Sequence, residues 1–171
     1  MTAKMLSIII PAYQEEQNLA VLLPDIKTVL DGCGIAWEIL VMDSMTSLDN
    51  TASVCRANGA TCINRSGGNT YGDAVRSGLS AATGELIIFM DADGSHTPSF
   101  IPQLLSHAAD SDVVIASRYV GNGGSHNSLP LILMSRVLNT TYSLVLGIPC
   151  KDVSNSFKLY HAADVKNLRL R

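Results

Sequence analysis

Six short apolar runs, separated by stretches of helical spacing, limit this chain to a small set of folds. The runs are Met5 to Ile10, Glu38 to Met42, Thr61 to Ile63, Leu86 to Met90, Asp112 to Ala116 and Asn155 to Tyr160. Several are continuous rather than alternating, as in strands buried on both faces. After the first, Leu19, Leu22, Leu23, Ile26 and Leu30 return at helical spacing and are closed by Gly32 and Gly34. Further helices are predicted over Thr51 to Asn58, Tyr71 to Ala82, Ser99 to Ala108 and Leu131 to Leu146. Such alternation predicts an α/β fold, a mainly parallel sheet with helices on both faces. Ligands of such sheets bind outside the carboxyl ends of the strands. The polar clusters stand at those ends: Tyr13 and Glu15, Asp43, Asp91 and Asp93, and Arg118.

The run from Leu86 closes on Asp91-Ala92-Asp93-Gly94-Ser95-His96. Side chains alternate along a strand, so Asp91 and Asp93 are expected to point the same way and Ala92 the other. Two like charges side by side repel unless a cation lies between them, which suggests a metal. A pair of capping aspartates in a strand-to-helix loop is the competing reading. His96 is either a ligand or, more simply, a loop histidine bonded to backbone ahead of Pro98.

At 171 residues the chain is expected to be one domain with a real core. A net charge of −3 and scattered basic residues give no reason to expect nucleic acid. The four cysteines lack CxxC or Cys/His spacing, so neither zinc nor a disulfide framework is signalled. No basic-plus-apolar leader precedes the first strand, and Leu129 to Pro149 is too polar to span a bilayer. A cytoplasmic location follows as an expectation. The chain closes at Leu168-Arg169-Leu170-Arg171, as a minimal or a C-terminally truncated domain would. Gly121 to Ser125 reads as a flexible loop.

Five segments together resemble glycosyltransferase family 2, and within it the polyprenyl-phosphate mannosyl- and glucosyltransferases. Ser7 to Leu19 is similar to the family's IPAYNEEENL start, and Tyr71 to Gly78, with Ala82 and Gly84, to its small-residue helix. Asp91-Ala92-Asp93 is similar to its DxD motif and Ala116-Ser117-Arg118-Tyr119 to its GSRY. Asp152 to Tyr160 is similar to its DxTSGFRxY. The resemblance covers nearly the whole chain and implies a Rossmann-like GT-A fold, a single catalytic domain over 1–171. It implies that Ala12, Tyr13, Glu15 and Asp43 hold the nucleotide, with Asp91 at the ribose or metal. Asp93 would ligate Mg²⁺ or Mn²⁺ on the diphosphate of a nucleotide-sugar donor. Arg118 would engage phosphate oxygens, and Arg136 and Lys158 match positions that meet an anionic acceptor or the leaving diphosphate.

Two departures bear on the site. The family's DDGSxDxT reads here Asp43-Ser44-Met45-Thr46-Ser47-Leu48-Asp49-Asn50-Thr51, with Ser44 as its second residue. The Gln expected two places beyond the DxD is Ser95, whose hydroxyl or a water is left to complete the metal shell. The resemblance implies that members attacking a sugar hydroxyl carry a late acidic pair, often Glu-Asp, as the base; no Glu-Asp pair occurs here and Glu is absent after Glu85. A lipid phosphate is already an anionic nucleophile, which favours a polyprenyl-phosphate acceptor with inversion at the sugar carbon. The apolar Leu129 to Leu146 segment suits peripheral membrane contact, or packs as a core helix. The readings left open are a transferase acting on a sugar hydroxyl, a non-catalytic nucleotide-sugar-binding domain and, ranked last, a flavodoxin-like phosphate switch. A homo-oligomer is compatible with all of them.

Overall fold

The structure, a computed structural model, describes residues 5–119, 129–148 and 150–168. These fall into two compact units, one up to Val114 together with the segment from Phe157, the other Ile115–Ser156. The first contains most of the sheet. Its strands are β1 (Met5–Pro11), β2 (Ala36–Asp43), β3 (Thr61–Asn64), β4 (Leu86–Phe89), β5 (Val113–Ile115) and β6 (Lys158–His161). Their order is β3-β2-β1-β4-β6-β5. β1 runs parallel to β2 and to β4, and β2 parallel to β3, while β6 pairs antiparallel with β4. The mainly parallel sheet expected from the alternation is therefore present, with β6 as the antiparallel member.

Burial explains why these runs are continuous. Leu6, Ile8, Ile9 and Ile10 of β1 and Ile87 and Ile88 of β4 are fully buried, so both faces of the central strands are covered. Helix α1 (Glu16–Gly32) buries the five periodic apolar residues read from its sequence. Helices α2 (Thr51–Ala57) and α3 (Tyr71–Ala81) follow β2 and β3. α3 starts on a capping box: the Thr70 hydroxyl accepts from the Asp73 N–H, and the Asp73 carboxylate accepts from the Thr70 N–H. The small residues of α3 are a packing requirement, because a Cβ on Gly78 would stand 2.4 Å from Ile9 Cγ2. A 3₁₀ turn at Pro98–Phe100 leads into α4 (Ile101–Ser106), and α6 (Ala162–Val165) follows β6.

Most sequence-based boundaries shift by one to three residues. β4 stops at Phe89 rather than Met90, β5 is shorter, and β6 begins at Lys158 rather than Asn155. α4 ends two residues early. The predicted loop at Gly121 to Ser125 lies outside the described residues. In the second unit, α5 (Leu129–Leu146) is one helix, as expected, but its apolar side chains are exposed rather than packed in a core. Among the described residues, no helix is long and apolar enough to cross a membrane. The four cysteines are free thiols.

Candidate functional site

β1 and β4 are neighbours, yet the chain leaves β1 toward β2 and β3 on one side and reaches β4 on the other. This is the topological switch point of the sheet, where loops diverge and leave a crevice at the carboxyl ends. Tyr13 and Glu15 follow β1, Asp43 ends β2, and Asp91, Asp93 and Ser95 follow β4. Lys158, first residue of the antiparallel β6, pairs with Phe89 at the same end. The first unit thus brings these six residues and Lys158 to one edge. Arg118 and Arg136 belong to the second unit.

Asp43 is fully buried. Its Oδ1 accepts from the Ser44 N–H at 2.7 Å, but Oδ2 has no hydrogen-bond partner. A buried carboxylate oxygen left unpaired is expensive, and a ligand donor at that position would satisfy it. The Ser44 hydroxyl donates to the Thr46 carbonyl at 2.7 Å and shapes the loop after β2. Tyr13 is half-exposed beside this edge, and the residue after it, Gln14, has φ +57°. The Ala12 backbone is engaged on both sides, its N–H donating to the Met42 carbonyl and its carbonyl accepting from Arg65.

Arg65 is the buried cation beneath the site. Its Nε donates to the Asp43 carbonyl at 2.9 Å, Nη2 to the carbonyls of Met42 and Ala12, and Nη1 to that of Thr70. One guanidinium thereby ties the ends of β1 and β2 to the start of α3. The second tie is a reciprocal clasp. The Glu16 N–H donates to Asp49 Oδ2 at 3.1 Å, and the Asn50 N–H donates to Glu16 Oε2 at 3.0 Å. Burial would raise the Asp49 pKa, but hydrogen bonds from Thr51 and Glu16 bring it below the ordinary value. Sequence reasoning missed Arg65 and this clasp, since neither carries a spacing signal. Glu15, expected at the nucleotide, accepts from Asn18 Nδ2 at 2.7 Å.

The DxD segment corrects an expectation about direction. β4 ends at Phe89, and residues 92–94 form a turn with Gly94 at φ +77°, so strand alternation does not set Asp91 and Asp93. Asp91 is partly buried and Asp93 exposed. Ser95 donates to Asp93 Oδ1, its N–H at 2.9 Å, and holds the Asp93 pKa below the ordinary value. His96 Nδ1 accepts from the Asp91 N–H at 3.0 Å while Nε2 lies 3.6 Å from Asp91 Oδ2. The ring stacks on Phe157 at 4.8 Å. His96 therefore positions Asp91 through backbone, the simpler of its two readings.

These residues fit a hard divalent cation. The donors are carboxylate oxygens, and Asp93 is held ionised. No group of three or more His, Cys, Asp and Glu ligands occurs among the described residues. Mg²⁺ and Mn²⁺ sites of one or two protein carboxylates, completed by phosphate and water, have this composition.

In the second unit, Arg118 Nη2 donates to Asp152 Oδ1 at 2.7 Å and Nε to Oδ2 at 3.0 Å. Asp152 is fully buried and raises the Arg118 pKa. Asn139 Oδ1 accepts from the Ser154 N–H at 2.9 Å and steadies the same segment. The guanidiniums of Arg118 and Arg136 lie 5.3 Å and 5.4 Å from the Tyr119 ring centroid. Two guanidiniums therefore share one aromatic ring, Arg118 with its charge already met by Asp152. Asp152 stands in a quoted motif, but its service to Arg118 was not legible there.

The sequence model described as Glycosyl transferase family 2 matches residues 7–169. A dolichol-phosphate mannosyltransferase from Pyrococcus furiosus is 33% identical over 125 residues, 71% of this chain and 35% of that protein. An undecaprenyl-phosphate 4-deoxy-4-formamido-L-arabinose transferase from Salmonella paratyphi B is 33% identical over 119 residues, 65% of this chain and 36% of that one. The chain thus spans about a third of the length of these curated relatives. Among solved structures, glucosyl-3-phosphoglycerate synthase from Mycobacterium tuberculosis with phosphoglyceric acid superposes with a TM-score of 0.71 at 23% identity, over 94% of this chain and 57% of that one. The same synthase with Mn²⁺, uridine diphosphate and glucosyl-3-phosphoglycerate gives 0.66 at 20% identity, with the same coverage. These likenesses establish the fold.

Proposed function

Because this chain belongs to glycosyltransferase family 2 and has the GT-A fold, we propose that it transfers a sugar from a nucleotide-sugar donor to a lipid phosphate, with inversion. The observation that carries the proposal is the set of acidic and aromatic residues at the switch point of the sheet, with Asp43 Oδ2 buried and unpaired. Nucleobases and riboses are rich in N–H and O–H donors, which such an oxygen accepts. Tyr13 offers an exposed ring at the same edge, and Arg65 holds the two strand ends in place.

Asp91 and Asp93 are the residues that would hold Mg²⁺ or Mn²⁺, with Ser95 beside them. A bound cation would offset charge on the leaving diphosphate. The Mn²⁺ and uridine diphosphate in the Mycobacterium synthase complex support this choice of ligands. The chain's own residues do the rest. His96 fixes the backbone at Asp91, and Ser95 fixes the carboxylate of Asp93. Arg118, locked by Asp152, and Arg136 present guanidinium charge suited to phosphate oxygens. A phosphate nucleophile is already charged, so no general base is required. The polyprenyl-phosphate relatives support the same acceptor class.

Calorimetric titration of UDP, GDP and their sugar conjugates, with and without Mn²⁺, tests the donor site. Binding of one nucleotide is expected to depend on Mn²⁺ and to fall at least about tenfold in Asp93→Ala, since a lost metal ligand removes a charge-assisted contact. No binding of any nucleotide by the folded chain would overturn the donor assignment. A transfer assay offering a short polyprenyl phosphate beside a free sugar then decides the acceptor. Turnover on the free sugar alone would replace the lipid phosphate with a hydroxyl.

A further inference from the structure

Two of the four free thiols meet on the β2–β3 flank of the sheet. In the parallel pair β2–β3, Val41 stands opposite Cys62 and Met42 opposite Ile63. Leu40, Met42 and Ile63 pack with Ala74 and Leu79 of α3 in one apolar cluster, so they point to the α3 face. Alternation along the strands turns Val41 and Cys62 to the other face. Helix α2 packs on β2, β3 and α1, and the residues it buries are Thr51 and Cys55, one turn apart. After α2 the chain reverses through Gly59 at φ +73°, and the Ala60 N–H donates to the Cys55 carbonyl at 2.9 Å. β3 therefore starts alongside the last turn of α2. The sulfurs are in contact, with the Cys55 thiol donating a hydrogen bond to Cys62.

The two thiols are not equivalent. Cys55 is fully buried, and the hydrogen bond it donates, together with burial, pushes its pKa up. Cys62 is partly buried, and accepting that bond brings its pKa below the usual thiol value, against burial and the charges of Asp43 and Asp49. The thiolate is the reactive form of a cysteine, so Cys62 reacts first and Cys55 second. Cys33, by contrast, donates to the Val29 carbonyl at 3.2 Å, and burial pushes its pKa up. We propose that Cys55 and Cys62 form a redox-active dithiol that a peroxide closes to a disulfide between α2 and β3. The Cys62 thiolate attacks one peroxide oxygen, the O–O bond breaks, and hydroxide leaves with sulfenic acid on Cys62. The Cys55 sulfur then displaces the sulfenic oxygen as water, forming the S–S bond. Altogether two thiols and one peroxide give one disulfide and two waters, and a dithiol reductant reverses the step. Sulfurs already in contact need rotation of their side chains to close, rather than movement of either element. The inference uses no part of the donor-site reading.

Hydrogen peroxide titration of the full wild-type chain, followed by intact-mass measurement and a non-reduced peptide map, tests it. The expected result is the loss of two hydrogens in a chain that stays monomeric, a single crosslink joining the Cys55 and Cys62 peptides, and full recovery with dithiothreitol. Oxidation should run severalfold faster than that of free glutathione at the same pH. Cys55→Ser is expected to stop at sulfenic acid on Cys62, captured by dimedone, while Cys62→Ser leaves Cys55 unreacted over the same interval. The oxidised chain should also melt about 5 °C above the reduced one. Thiols that survive peroxide as long as glutathione does, a crosslink through Cys33 or Cys150, or disulfide-linked dimers would each overturn the proposal. So would an oxidised chain that melts below the reduced one, since the sulfurs would then meet only by distorting α2. The wild-type map decides the pairing even where a serine variant misfolds.

Discussion

Single residues set the geometry here through contacts that no sequence pattern announces. Asp152 illustrates the point, since its buried carboxylate holds Arg118 by two N–H groups. Asp152→Ala is expected to lower the unfolding free energy by about 2 kcal/mol, the range for hydrogen bonds to charged groups. Asp152→Asn, which keeps one acceptor, should lose less. Equal urea midpoints for wild type and both variants would show that the pair contributes nothing. Glycines give a second, paired case. Gly78→Ala forces a Cβ to within 2.4 Å of the buried Ile9 Cγ2, and is expected to destabilise by about 1–3 kcal/mol. Gly32→Ala, in the last turn of α1 with nothing within 4 Å, should stabilise by about 0.5–1 kcal/mol through reduced chain entropy. Chemical denaturation of the two variants side by side reads both signs, and a stabilised Gly78→Ala would contradict the close packing of α3 on β1.

At the scale of elements, what the sequence carried well was the buried strand. β1 and α1 were legible because continuous β-branched runs and 3.6-residue spacing are each produced by one cause, burial. The DxD turn was not, because Gly94 at φ +77° ends the strand's alternation and a tertiary hydrogen bond from Asp91 to His96 replaces it. α5 was legible as a helix but its apolar residues suited either a core or a surface, and the structure shows that its less exposed stripe is polar. Side-chain ties between elements also lay beyond any pattern, and Glu38 on β2 shows why. Its Oε1 accepts from Ser7 Oγ of β1 at 2.6 Å and from the Thr83 N–H at 2.7 Å, in the turn before β4. Burial would raise its pKa, but these bonds bring it below the ordinary 4.5. A depressed carboxylate pKa contributes stability that is present above the unfolded value and lost as pH falls through the folded one. The gap in urea midpoint between wild type and Glu38→Gln is therefore expected to be full near neutral pH. It should close as the pH drops from about 4.5 downward. A gap that widens with acid would mean that the carboxylate is not the acceptor.

For the whole molecule, the decisive property is that the candidate donor site is built from the carboxyl ends of β1, β2 and β4, three adjacent strands of the buried sheet. A ligand that bridges them binds only the folded chain, so binding is coupled to global unfolding. At a free concentration of about 100 times Kd, such a ligand stabilises by roughly 2.7 kcal/mol. For a chain of this size that is about 5–10 °C in Tm. The nucleotide with Mn²⁺ is expected to produce this shift, and the nucleotide without the metal a smaller one. Asp43→Asn is the sharper control. It keeps the side-chain shape in the fully buried position but places either an amide oxygen or an amide N–H₂ where Oδ2 now waits for a donor. Its own Tm should stay close to wild type, because Oδ2 makes no bond in the unliganded chain, while the nucleotide shift should largely vanish. A variant that melts far below wild type would instead show that Asp43 holds the loop through Ser44, and that the unpaired oxygen is a packing consequence rather than a ligand's place. A variant that keeps the full shift would separate nucleotide binding from β2 altogether and move the site toward the Asp91–Ser95 turn alone.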